Sequence, residues 1–171
     1  MNMINVYQVI SSTLALLGVV VIYYQIVKNQ KIKEAEFIMN LNATFSGNPN
    51  IRAVYAKLET FEEGDEDPFS EEDVVRIAEY LSFFGTIAHL VDRKVLTIKM
   101  IDSFLSYRFF AAMNNPFVQQ HQLIKDADYF GKLFNLYDDW LLYKKKRRKP
   151  EPFSKYALYN SSFDYKQYKE K

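Results

Sequence analysis

The chain has 171 residues, 49% of them apolar and 25% charged, with a formal net charge of +1. That length holds one domain and an appendage, and the balanced charge argues against a surface built wholesale for nucleic acid. No cysteine is present, which excludes disulfides, thiolate nucleophiles and cysteine-ligated zinc or iron–sulfur sites; with only His89 and His121 as histidines, no metal and no cofactor is expected.

From Met1 to Val27 there is no Asp, Glu, Lys or Arg, and INVYQVISSTLALLGVVVIYYQIV at 4–27 is dominated by Ile, Val and Leu. As a helix this stretch spans about 36 Å, enough to cross a hydrocarbon core of about 30 Å with some tilt. Tyr7 near one end, and Tyr23 and Tyr24 near the other, suit the membrane interfaces. A transmembrane anchor over 1–28 is predicted. Lys28, Lys31 and Lys33 follow the span and nothing basic precedes it, which places the rest of the chain in the cytoplasm and the amino terminus outside. Ser11, Ala15 and Gly18 fall on one face at spacings of four and three, the small-residue pattern through which two such helices approach.

Beyond the span, Ile32, Ala35, Ile38, Leu41 and Phe45 continue a helical stripe until Gly47. Asn48-Pro49 is a cap-and-proline helix start, and Ile51, Val54, Leu58 and Phe61 give the next helix one apolar face. An acidic loop, EEGDEDPFSEED at 62–73, lacks the ligand spacing of a calcium loop and reads as solvated linker. Ser70 with Asp73 forms a capping pair for a helix over about 71–92, with Val74, Ile77, Ala78, Leu81, Phe84, Ala88 and Val91 along one side. Thr97 caps a helix over about 98–113, apolar except for a narrow stripe of Lys99, Asp102, Ser103 and Ser106, and therefore touched on several sides. Asn115-Pro116 starts a short helix to about Ile124. A longer one follows to about Lys146, with Phe130, Leu133, Phe134, Tyr137, Trp140 and Leu141 inward. The expected fold is all-α: an amino-terminal transmembrane helix continuing into a cytoplasmic bundle of about five helices at 29–149, then a partly disordered aromatic and basic tail at 150–171.

Within SYRFFAAMNNPFVQQ at 106–120, Arg108 falls opposite the polar stripe of its helix and so points to the core. A lone buried guanidinium costs several kcal/mol, so it must meet a carboxylate, meet helix-end carbonyls or line a cavity. Glu34, Glu36, Glu59, Asp138 and Asp139 are the candidate acids. Two readings stand: an ion pair that fixes helix packing, or an anion site in a pocket floored by Tyr107, Phe109 and Phe110. An unrecognised hydrolase would have to be built around this arginine. His89 and Asp92 lie one turn apart but lack a third metal ligand, and no glycine-rich phosphate loop or nucleophile elbow is present.

The run at 80–120, with LNATFSGNPNIRAVYAKLE before it and LFNLYDDWLLYKK after it, resembles a bacterial family of small, membrane-anchored, all-helical proteins of unknown function. The similarity covers roughly 40–145, and its hallmarks are the Tyr-Arg-Phe-Phe and Asn-Pro segments. It implies a single-pass inner-membrane protein and brings no catalytic residue with it. In that family an acidic residue often stands where this chain has Gly85, level with Arg108.

Lys144, Lys145, Lys146, Arg147, Arg148 and Lys149 form six consecutive cations, more than a helix C-terminus requires. Beside a membrane they suit anionic lipid headgroups, and nucleic-acid phosphate is the rival partner. The readings are thus an anchored interaction or regulatory module that binds a protein partner or a second copy, and a tethered lipid or nucleic-acid binder that uses 144–149. The first is preferred, and a hydrolase built around Arg108 is the third alternative.

Overall fold

The computed structural model describes residues 3–61 and 69–170, and of residues 3–20 the backbone alone. The described residues are all-helical, without a strand. The order is α1 Met3–Gly47, α2 Pro49–Thr60, α3 Glu71–Asp92, α4 Ile98–Met113, the single turn α5 Pro116–Val118, and α6 Gly131–Arg147. A π-helical turn at Gln119–Leu123 and a 3-10 turn at Ala127–Phe130 join α5 to α6. Three 3-10 turns follow α6.

Side-chain caps set most of the helix starts. Asn48 Oδ1 accepts from the backbone N–H groups of Asn50 (2.9 Å) and Ile51 (3.2 Å), and Asn115 Oδ1 accepts from that of Val118 (3.1 Å). Ser70 and Asp73 form a reciprocal capping box: each accepts from the other's backbone N–H, at 3.4 and 2.8 Å. Thr97 precedes α4 without a side-chain cap bond. Two helices end alike. Lys94 (φ 59°) and Arg148 (φ 53°) adopt the left-handed conformation, and Val95 N–H and Lys149 N–H each reach back to the carbonyl five residues earlier.

The chain divides into two compact units, Met1–Leu41 and Asn42–Lys171. The described residues of the first are helix only. The expected span at 4–27 lies in α1, and Ser11, Ala15 and Gly18 belong to the stretch whose side chains are outside the described residues, as does most of the acidic loop. From position 21 onward Val21, Ile22, Tyr23, Tyr24 and Ile26 are exposed, the two tyrosines at 68% and 67%.

The second unit is built on aromatic rings. Phe45, in the last turn of α1, meets Tyr55, Tyr80 and Phe83 edge-on at 5.4–5.7 Å. Phe84 lies 5.3 Å from Phe109, which stacks on Trp140 at 5.0 Å. α4 is the central helix: Ile101, Leu105, Phe109, Phe110 and Met113 are fully enclosed. Among the described residues α3 alone is long and apolar enough, by length and composition, to cross a membrane. Its apolar side chains Ile77, Leu81, Phe84 and Ile87 are buried against neighbouring helices, which is the position of a core helix.

The tail departs from expectation. Residues 150–170 pack on the bundle and belong to its unit, with Ala157, Leu158 and Tyr165 buried. Asn114 Nδ2 donates to the carbonyl of Pro152 (3.1 Å), and Gln119 Nε2 donates to those of Met113 (2.9 Å) and Tyr156 (3.0 Å). Leu158 N–H donates to Asn114 Oδ1 (3.2 Å) and to the Tyr137 hydroxyl (3.1 Å). Tyr165 and Lys169 both donate to Asp138, at 2.7 and 2.9 Å. Tyr165 inserts into the core, where it packs against Phe134 (5.5 Å) and Tyr137 (5.8 Å), so the tail's composition hides an ordered segment.

Gly131 shows how closely the tail is applied. A Cβ there would stand 2.6 Å from the Tyr168 carbonyl oxygen. Gly131→Ala is therefore expected to cost about 1–3 kcal/mol in urea unfolding and to speed proteolysis within 160–171, since backbone must move to admit the methyl group.

Candidate functional site

The polar stripe predicted on α4 faces water only in part: Lys99 and Ser103 are exposed, whereas Asp102 and Ser106 are covered. Asp102 is only 5% exposed and Ser106 is also buried, because the carboxy-terminal end of α6 and the segment after it lie over them. Asp102 Oδ1 accepts from Trp140 Nε1 at 2.8 Å and lies 3.8 Å from Lys144 Nζ; Oδ2 pairs with Lys149. Burial by itself raises the pKa of Asp102, but the Lys149 and Trp140 hydrogen bonds and the Lys144 charge outweigh it and hold the carboxyl below its ordinary range. Lys144 is buried, with Nζ donating to the Pro150 carbonyl at 3.1 Å, and loss of solvent lowers its pKa despite Asp102.

The six-residue basic run is accordingly divided. Lys144 and Lys149 are bound to Asp102, and the left-handed turn at Arg148 brings Lys149 back toward it. Lys145, Lys146, Arg147 and Arg148 remain exposed. Beside them is a groove of about 670 Å³, between one face of α6 and the tail, whose walls include Lys145, Lys166, Leu141, Leu142 and Tyr159.

Arg108 also differs from expectation. It is half-buried, and among the described residues it meets an amide instead of a carboxylate: Nη1 donates to Asn42 Oδ1 at 2.9 Å. The guanidinium lies over Phe45 (4.3 Å) and Tyr55 (5.5 Å), and the Arg108 carbonyl accepts from Tyr80 Oη at 2.9 Å. Glu59, one of the candidate acids, belongs to the same cluster through Tyr55, whose hydroxyl donates to it at 2.5 Å. Partial burial first, and Glu59 second, push the Tyr55 pKa up to about 12, so the phenol stays neutral. Tyr107 does not share this cluster; it is 45% exposed and lies against Phe153 at 5.0 Å. Arg108 thus holds the last turns of α1 to α2 and α4 by stacking and one hydrogen bond.

A second groove, also about 670 Å³, runs between α3, the π-helical turn and α6. Gly85 and His89 line it, while Arg108 does not, so Gly85 opens onto a different face from the arginine. Lys132 bridges Asp92 (3.0 Å) and Glu170 (3.4 Å) at its edge. The one-turn pair His89 and Asp92 is thereby split, with Asp92 committed to a lysine. His121 stacks on Phe117 at 4.0 Å. Among the described residues no cluster of three metal-ligating side chains occurs.

Asp102 was not legible as a site residue. Its only signal is that α4 is apolar on nearly every face, so that any polar residue on it risks being covered.

Asp102→Asn is expected to destabilise the fold by about 3 kcal/mol or more at neutral pH, because Lys144 is left buried without its counter-charge. The depressed folded-state pKa values of Asp102 and Asp73 mean that their stabilisation is present above the unfolded carboxylate pKa near 4 and is lost as pH falls through the folded values. Urea midpoints from pH 6 down to pH 2 should therefore fall less steeply in D102N than in the intact chain. Arg108→Lys keeps the charge and loses the planar stack, and should cost about 1 kcal/mol in the same assay. Comparison with protein-family models, with curated proteins and with solved structures finds no match to this chain.

Proposed function

We propose that this is a single-pass membrane protein whose folded second unit is an interaction or regulatory module in the cytoplasm. The observation that carries the reading is the contrast between its two apolar populations. The second unit encloses a core of large apolar side chains, Phe45, Phe84, Phe109 and Trp140 among them, and exposes others only singly along its helices and turns, whereas Val21, Ile22, Tyr23, Tyr24 and Ile26 are exposed together on a helix that has no charged residue before Lys28. An uncharged apolar helix of this length with uncovered side chains calls for hydrocarbon around it. Lys28, Lys31 and Lys33 favour a cytoplasmic second unit. The resemblance to small anchored helical proteins of bacteria supports the same location, in the inner membrane. Ser11, Ala15 and Gly18 supply a route to self-association within it.

No catalytic role is assigned. The guanidinium of Arg108 is occupied by two rings and an amide, which favours a structural duty over substrate binding. The surfaces left for recognition are the two grooves and the exposed cations Lys145, Lys146, Arg147 and Arg148.

Alkaline carbonate extraction of membranes from cells that express the full chain tests the anchor: the protein should remain in the pellet, and release into the wash would reject a spanning helix. Mild crosslinking followed by pull-down from detergent-solubilised membranes tests the module. A defined protein partner should be retained when Lys145, Lys146, Arg147 and Arg148 are changed to Gln. Loss of every partner in that variant would move the function to the basic run.

A further inference from the structure

Resting on the membrane reading, we propose that the groove between α6 and the tail is a binding site for the headgroup of an anionic phospholipid. Four lysines line it against two carboxylates, and the carboxylates are already engaged. Asp138 accepts from Tyr165 and Lys169, and Glu151 Oε2 accepts from the Tyr159 hydroxyl at 2.9 Å. Of the lysines, Lys144 and Lys149 are held by Asp102. The ammonium groups of Lys145 and Lys166 have no partner among the described residues. Two uncommitted cations, one from α6 and one from the tail, thus line the same groove.

The remaining wall chemistry selects the kind of phosphate. Leu142 and Tyr159 are exposed large apolar side chains in the same lining as the cations, and Leu141 adds to it. An inorganic anion or a nucleic-acid backbone makes no use of such a wall, whereas the glycerol backbone and first methylenes of a phospholipid would cover it. Lys146, Arg147 and Arg148 extend the positive field around the groove mouth.

The test is native mass spectrometry of the full chain in non-ionic detergent, titrated with short-chain phosphatidylglycerol or phosphatidylcholine. Because both lipids are presented in detergent, the assay reads the groove whether or not the carbonate experiment supports a spanning helix. The intact chain should retain phosphatidylglycerol over phosphatidylcholine by about tenfold. K145Q/K166Q should lose that preference while keeping the unfolding midpoint of the intact chain, since both side chains are exposed and unpaired. K28Q/K31Q/K33Q should keep it. Equal retention of the two lipids by the intact chain, or an unchanged preference in K145Q/K166Q, would overturn the assignment. So would displacement of the lipid by inorganic phosphate or by a short oligonucleotide at comparable concentration.

Discussion

A carboxylate under the end of α6 organises the second unit. Asp102 sits on the central helix, beneath the indole of Trp140 and between two lysines of the basic run. An ionised carboxyl at this depth is tolerable only with hydrogen bonds and counter-charge, and it receives both. Its partners fix where α6 ends, how the chain reverses at Arg148, and from what point the tail begins to cover α4. Lys149, drawn inward, starts the path along which Pro152, Tyr156 and Leu158 reach Asn114 and Gln119. Removing the charge would therefore loosen a whole layer rather than one contact.

The Asn-Pro segment takes its meaning from the same layer. Asn115 caps α5, while Asn114 and Gln119, buried beside it, present amide groups to the tail backbone. Short polar side chains are suited to this because one amide serves both as donor and as acceptor: Asn114 donates to Pro152 and accepts from Tyr137 and Leu158. What resembles an interaction tail is in large part the last wall of the fold. Surface chemistry is left to the side chains that this wall does not consume, Lys145 and Lys166 among them.

The helix starts were legible in sequence because a cap is a local event. Asn48, Ser70 with Asp73, and Asn115 act on backbone within three residues of themselves, and each start lies where its motif puts it. Inward and outward were less legible. A helical wheel assigns α4 an apolar side and a polar side, but cannot say which side a later segment will cover. The wheel turns Arg108 toward the core and puts Asp102 in the polar stripe; the fold half-exposes the first and buries the second. Both outcomes follow from long-range contacts, 66 residues apart for Asn42 with Arg108 and 47 for Asp102 with Lys149. The tail was misjudged for a related reason. Tyrosines interleaved with lysines have the composition of a solvated end, and only packing against Phe134 and Tyr137 makes Tyr165 a core residue.

Hydrogen exchange read by mass spectrometry on the full chain in detergent tests most directly whether the tail is part of the fold held by Asp102. Peptides covering residues 154–168, including the Leu158 amide, should be protected in the intact chain by orders of magnitude over an unfolded peptide, and should lose much of that protection in D102N while α3 keeps its own. A tail that exchanges at the unfolded rate in the intact chain would contradict the account.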